Sequence, residues 1–239
     1  MSGHSKWSKV KQFKGAIDAK RSASFTKLAR EIVVTVREKG PDPAMNFMLR
    51  VAIDRARAAN MPKDSIERAI ARGSGAGEEA QVETLRYEAY GPSGSAFIIE
   101  CLTDNRNRAA NDVKHILSKN GGTLATTGSV AFQFDHKGVV RASAIPQDKR
   151  DDIEMALIDS GAEDFNEQEG ETIIQCATTD LSKVTDAVVK SGLTVTSAGF
   201  EWLPKNPVTL SDSEGESVAR LIEALEENDD VQNVFTNAN

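Results

Sequence analysis

Two cysteines and three histidines are all this chain offers for thiol or soft-metal chemistry. Cys101 and Cys176 lie far apart in sequence, so no disulfide framework is written into the chain and a reducing compartment is expected. His4, His115 and His136 fall into no C-x-x-C, H-x-x-x-H or H-E-x-x-H spacing, which argues against a structural or catalytic metal. Apolar runs stay far short of the ~18 residues a membrane helix needs. The start, Met1-Ser2-Gly3-His4-Ser5-Lys6-Trp7, lacks the apolar stretch of a secretory signal. A cytoplasmic protein with no membrane partner is expected. Gly73-Ser74-Gly75-Ala76-Gly77 follows a helix pattern instead of opening one, and no Lys-Ser or Lys-Thr comes after it, so it is not a phosphate loop. Gly91-Pro92-Ser93-Gly94 lacks the spacer and context of a nucleophile elbow. No catalytic constellation remains, and neither an enzyme nor a cofactor is expected.

Charge is abundant and segregated. Residues 1–72 carry sixteen Lys and Arg against seven Asp and Glu, a net of +9. Residues 73–239 carry thirteen against twenty-nine, a net of −16. Solubility alone accounts for a mixed charged surface but not for this division. A basic head on an acidic body points to a polyanionic partner met in one orientation.

Local patterns divide the chain further. Residues 1–20 read as a basic arm, with Lys6, Lys9, Lys11, Lys14 and Lys20 interleaved with Trp7, Val10, Phe13 and Ile17. Phe25, Leu28, Ala29, Ile32, Val33 and Val36 form one apolar stripe at helical spacing, stopped at Gly40-Pro41. Asp42-Pro43 is expected to restart a helix as N-cap and first residue. In that helix Met45, Met48, Leu49, Ala52 and Ala56 are expected on the apolar side, with Asn46, Arg50 and Arg57 sharing another. Pro62 opens a third helix closed by Arg72-Gly73, followed by a Gly-rich linker. Strands are then expected at 82–90 and 96–102, a helix at 105–119 and another strand at 129–134. From 138 to 203 the order strand, helix, strand, strand, helix, strand is the ferredoxin-like arrangement. A final helix (213–227) and strand (231–235) need a sheet to pack on, and the 78–134 unit is the expected host. The expected fold is thus α+β multidomain: a small three-helix N-terminal domain with the arm and linker (1–77), a discontinuous α/β middle domain (78–134 with 206–239), and an inserted ferredoxin-like βαββαβ domain (135–205).

The basic arm is the first candidate site. Its lysines would neutralise phosphates and release counterions, and Trp7 and Phe13 have the rings to stack on unpaired bases. The other reading of these rings is core packing on the helical domain, even with stacking for Phe13. Asp104-Asn105-Arg106-Asn107-Arg108 is the second candidate: a strand end opening a helix, where backbone N–H groups and two guanidiniums suit a phosphate. An ordinary N-cap explains it equally.

Ser2-Gly3-His4-Ser5-Lys6-Trp7, with Lys11, Lys14, Asp18 and Arg21 after it, resembles the start of the YebC/PmpR family, which includes the mitochondrial translational activator of cytochrome oxidase. The resemblance continues through Phe25-Thr26-Lys27-Leu28, Glu31-Ile32, Asp42-Pro43, Asn46, Leu49-Arg50, Ala52-Ile53 and Asn60-Met61-Pro62-Lys63-Asp64-Ser65-Ile66-Glu67-Arg68-Ala69-Ile70. It resumes at Tyr87-Glu88-Ala89-Tyr90-Gly91-Pro92, Thr103 to Arg108, Gly121-Gly122 and Gly128-Ser129-Val130-Ala131-Phe132. This chain departs from the family at Lys39-Gly40-Pro41, where a Gly pair is usual before Asp-Pro, and at Ala109, where Thr is usual. The resemblance implies three domains and a DNA-binding transcriptional regulator. The alternative it implies is a ribosome-associated translation factor that relieves stalling, for example at proline runs, by contacting ribosomal RNA with the arm. It maps the family's N-terminal nucleic-acid residues onto His4, Lys6, Trp7, Lys9, Lys11, Lys14, Arg21 and Lys27. Arg50, Arg57 and Lys63 on the head, with Arg106 and Arg108, complete the expected contact set. The expected partner is duplex DNA or ribosomal RNA, with the acidic domains free to meet protein.

Overall fold

The computed structural model describes the backbone of residues 19–75, 82–168 and 170–239, and side chains within those ranges from residue 25 onward. It divides into two compact units. One comprises the described residues up to Asp135 together with Leu203–Asn239, and the other is His136–Trp202.

The first unit begins with three helices: α1 (Ala19–Lys39), α2 (Phe47–Ala58) and α3 (Lys63–Gly73). The stripe read from the sequence is their core, since Leu28, Ile32, Val33 and Val36 of α1 are buried against Leu49, Ala52, Ile53, Ala56, Ile66 and Ala69. α3 lies so close to α1 that a Cβ on Gly73 would stand 2.5 Å from Cβ of Val36. Only glycine permits this approach. The start of α2 differs from the sequence expectation. Asp42 and Pro43 form a turn, and Asn46 is the N-cap, its side chain accepting from the Leu49 amide at 3.1 Å. The Asn46 amide group, fully buried, donates to Thr35 O and Gly40 O, both at 2.8 Å. Asp42 and Asn46 are both good caps by residue type. The two extra bonds back to α1 decide for Asn46, and they leave Met45 outside the helix and 83% exposed.

The same unit holds a four-stranded antiparallel sheet of β1 (Glu83–Tyr90), β2 (Ala96–Thr103), β3 (Thr123–Leu124) and β8 (Val231–Thr236), in the order β3-β1-β2-β8. The tail strand therefore lies beside β2. Helices α4 (Arg106–Lys119) and α7 (Asp212–Glu226) cover one face, burying Phe97, Ile99 and Cys101 against Val113, Leu117, Leu221 and Leu225. Each such side chain contributes roughly 1.5–3 kcal/mol on burial. Burial pushes the Cys101 thiol up to about 12, with Asp230 adding to the effect, and the Cys176 thiol up to about 11, so both are inert at neutral pH.

The second unit carries β4 (Phe134–Ser143, whose first two residues belong to the first unit), α5 (Arg150–Asp159), β5 (Ala162–Gln168), β6 (Glu171–Cys176), α6 (Leu181–Lys190) and β7 (Val195–Pro204, whose last two residues belong to the first unit). The sheet order β5-β6-β4-β7 is the ferredoxin-like one. The expected α+β multidomain fold is what the chain adopts.

One segment departs from its sequence reading. Residues 129–134 were expected as a strand, yet Ala131–Gln133 is a 3-10 turn and β4 starts only at Phe134. The cause is Glu88, 3% exposed, whose carboxylate accepts from the backbone amides of Gly128 (2.7 Å), Val130 (2.8 Å) and Ala131 (2.9 Å). With three N–H groups drawn onto one side chain, no ladder can form. Burial alone would raise the Glu88 pKa, but the three amide donors outweigh it and hold the carboxyl below its ordinary value of 4.5. A lowered folded pKa means that this stabilisation is present above the unfolded value and is lost as pH falls through the folded one. Glu88→Gln is expected to cost about 2 kcal/mol at pH 7. Urea melts across pH 3–7 check this, with the gap between wild type and variant closing toward the acid end.

Candidate nucleic-acid interface

The basic head is held on its body by a buried carboxylate. Asp230, 3% exposed, ends the turn between α7 and β8. Its Oδ1 accepts from Arg30 Nη1 of α1 at 2.8 Å. Its Oδ2 accepts from the Thr103 hydroxyl (2.9 Å) and from Arg108 Nη2 (3.0 Å) and Nε (3.2 Å). Arg30 also donates to Asp229 O at 2.7 Å, and Lys27 Nζ donates to Glu226 O at 2.6 Å. α1 thus presents two cations to the carbonyl-rich end of α7, where the helix dipole is negative.

The second sequence candidate forms around the same carboxylate. Asn105 caps α4 by accepting from the Arg108 amide at 3.0 Å, and the Thr103 hydroxyl accepts from the Asn105 amide at 3.0 Å. Arg108 bridges outward to Asp104 at 2.7 Å, and that hydrogen bond holds the Asp104 carboxyl below its usual range. Arg108 is therefore committed to two carboxylates. Arg106 points elsewhere, 69% exposed, with Glu83 at 3.4 Å.

The remaining described candidates lie on the head. Arg57 is 70% exposed and pairs with Asp54 at 3.3 Å; Lys63 is 86% exposed and pairs with Glu67 at 3.5 Å. Such pairs are worth 0–1 kcal/mol, so phosphate oxygens can replace the carboxylates at little cost. The Arg50 guanidinium lies 5.3 Å above the Phe47 ring. His4, Lys6, Trp7, Lys9, Lys11, Lys14 and the side chain of Arg21 lie outside the described residues. The structure thus commits Arg108 to Asp230 and Lys27 to the Glu226 carbonyl, and leaves Arg57, Lys63 and Arg106 outward. Sequence reasoning missed Arg30 and Asp230. The three-residue step from Lys27 to Arg30 was a usable signal. Asp230 was hidden in the acidic run Glu226-Glu227-Asn228-Asp229-Asp230, which reads as a solvated turn.

A polar cavity of about 100 Å³ opens between head and sheet, lined by Glu31, Arg55, Thr84, Glu100, Leu102, Gln232 and Asn233. Burial raises the Glu31 carboxyl, with Arg55 at 2.7 Å opposing it. Among the described residues there is no group of three His, Cys, Asp or Glu that could hold a metal, and no helix long and apolar enough to cross a membrane.

These features define a multidomain α+β protein whose basic helical head is bonded to the end of α7 within the first unit. The TACO1/YebC N-terminal domain matches residues 5–76, and the TACO1/YebC second and third domains match residues 82–238. The chain belongs to the TACO1/YebC family. It is 44% identical to a probable transcriptional regulatory protein of Caldanaerobacter subterraneus subsp. tengcongensis, over 99% of this chain and 98% of that one. It is 48% identical to another of that name from Fervidobacterium nodosum, over 99% and 93%. The crystal structure of a conserved hypothetical protein from Aquifex aeolicus superposes with a TM-score of 0.84 at 38% identity, covering 95% of this chain and 93% of the other.

Removing the shared carboxylate takes the side-chain anion from Arg30, leaves Arg108 with Asp104 alone and strips the Thr103 hydroxyl of its carboxylate acceptor. Asp230→Ala is expected to cost about 3 kcal/mol, as for other broken buried pairs. Urea denaturation checks the loss, and hydrogen exchange should show earlier opening of the Lys27–Val36 amides.

Proposed function

We propose that the protein is a non-enzymatic, cytoplasmic nucleic-acid-binding regulator of gene expression that acts on transcription, as the names of its relatives say of them. The observation that carries this reading is the segregation of charge, net +9 over residues 1–72 and −16 over the rest. Such a field draws a polyanion to the head and turns the body away from it. Arg50, Arg57 and Lys63 of the head, Arg106 on the body and the lysines of the arm supply the phosphate contacts, while Lys27 and Arg108 act mainly by holding the head in place.

One observation favours a second reading, a ribosome-associated translation factor that relieves stalling, for example at proline runs. The exposed positions of α3 alternate in sign, with Lys63, Arg68 and Arg72 interleaved with Asp64 and Glu67. A helix laid in the DNA major groove would bring those carboxylates toward phosphates. Contact through the arm avoids this conflict and suits irregular RNA. Binding of full-length protein to duplex DNA and to intact ribosomes, side by side at physiological salt, separates the readings. Sequence-dependent DNA binding that ribosomes fail to compete away supports transcription, and tight ribosome binding with only non-specific DNA affinity supports translation.

Both readings place phosphate contacts on the arm. Lys9→Glu, Lys11→Glu and Lys14→Glu together are expected to abolish binding to either polyanion with an unchanged melting curve. Retained binding would remove the arm from the interface.

A further inference from the structure

Between α1 and α2 the head ends in an apolar knuckle of Pro41, Ala44 and Met45, all exposed, with Pro43 half-buried. Met45 is 83% exposed, the most among the large hydrophobic side chains described. The loop that carries it is tightly built. The Gly40 amide donates to Val36 O at 2.7 Å, with Gly40 at φ 88°. The Asn46 and Met45 amides donate to Asp42 O at 2.8 and 3.1 Å. The only carboxylate on the knuckle, Asp42, turns its Oδ1 onto the Ala44 amide at 2.9 Å. The buried Asn46 side chain ties the whole loop to α1 and α2. Six residues are thus ordered to display a thioether that gains nothing from solvent.

The surroundings say what it meets. Arg37 and Lys39 are exposed at the end of α1 with Glu38 exposed between them, and on the α2 side the Arg50 guanidinium is layered on the Phe47 ring. An apolar protrusion flanked by three cations against one carboxylate matches the two faces of a nucleotide, a flat apolar base carried on a phosphate. Met and Pro side chains serve as wedges against bases, and a guanidinium plane offers a stacking surface.

We infer that the Pro41–Met45 knuckle contacts an unpaired base of a looped or single-stranded nucleic acid, with Met45 against the base and Arg37, Lys39 and Arg50 on its flanking phosphates. This rests on the reading of the head as a nucleic-acid-binding domain and adds the element of the ligand that it recognises. A base already splayed from its strand fits better than one inside a duplex, because the carboxylates on α3 oppose the close approach of two phosphate backbones.

The test is fluorescence anisotropy of full-length protein with a single-stranded RNA of ~12 nucleotides, the same strand as DNA, and a blunt duplex of equal length. Met45 is exposed, so Met45→Ala should keep the native melting curve. It is expected to bind both single strands about tenfold more weakly, the lower end of what one stacked base contributes, with duplex affinity unchanged. Met45→Leu, which keeps the apolar bulk, should restore binding. A loss confined to the RNA strand assigns the contact to RNA. Wild-type affinity of Met45→Ala for both single strands overturns the inference, and if the arm variant still loses binding the parent reading stands. An equal loss on strand and duplex also overturns it and makes the knuckle a groove wedge. Wild-type protein that binds neither single strand also overturns the inference, while the parent reading is decided separately by the duplex-DNA and ribosome comparison.

Discussion

Burying a carboxylate costs several kcal/mol unless cations and donors surround it, and Asp230, 3% exposed, imposes that requirement on the first unit. Its partners come from three places far apart in sequence: Arg30 on α1, Thr103 at the end of β2 and Arg108 on α4. Once these meet, the tail strand, the α4 N-terminus and the head have fixed positions relative to one another. The same requirement sorts the basic residues into two groups. Arg30 and Arg108 cannot be surrendered to a phosphate without stranding a buried anion. Arg57 and Lys63, in surface pairs worth 0–1 kcal/mol, can exchange partners freely. Charge on this head is thus divided between residues committed to holding the fold and residues left outward, and total charge says little about which residue is which.

Glu88 imposes a comparable constraint toward the other end of β1. Its carboxylate replaces a strand partner for residues 128–131 and lets the chain turn from the first unit into β4. In both places a buried anion shapes a segment that apolar patterning leaves undetermined. The apolar core supplies most of the stability, and the two carboxylates specify which of several compact arrangements is taken.

Where burial follows a simple period, the sequence was legible. The α1 stripe, the strand, helix, strand, strand, helix, strand order of the ferredoxin-like unit, and a tail helix and strand in search of a sheet all read correctly, because Ile32, Val36, Ile174, Cys176 and Leu221 obey periods of 3.6 or 2. Where a polar side chain settled the matter at long range, it was not. Asp42 and Asn46 are equal as caps by residue type, and only the bonds from Asn46 to Thr35 and Gly40, eleven and six residues away, choose between them. Residues 129–134 have strand composition, and Glu88, some forty residues earlier, takes their amides. The candidate site divided in the same way. The exposure of Arg57 and Lys63 follows from their helix positions, whereas the commitment of Arg108 depends on a carboxylate 122 residues away.

On the proposed function, the size of the body's net charge is a poor guide to how far it would weaken binding at the head. At physiological salt the screening length is about 8 Å, so on the proposed function only charges within that distance of a phosphate act on it strongly. The effect of the body's charge falls on approach, where it disfavours docking through the wrong face. Contact is then governed by what lies within a few ångströms: the outward arginines and lysines, and the Met45 and Phe47 side chains between them. Phosphate attraction at such a surface is indifferent to sequence. On the inferred contact, the apolar part adds a preference of its own, because it separates bases that are free to be touched from bases that are not.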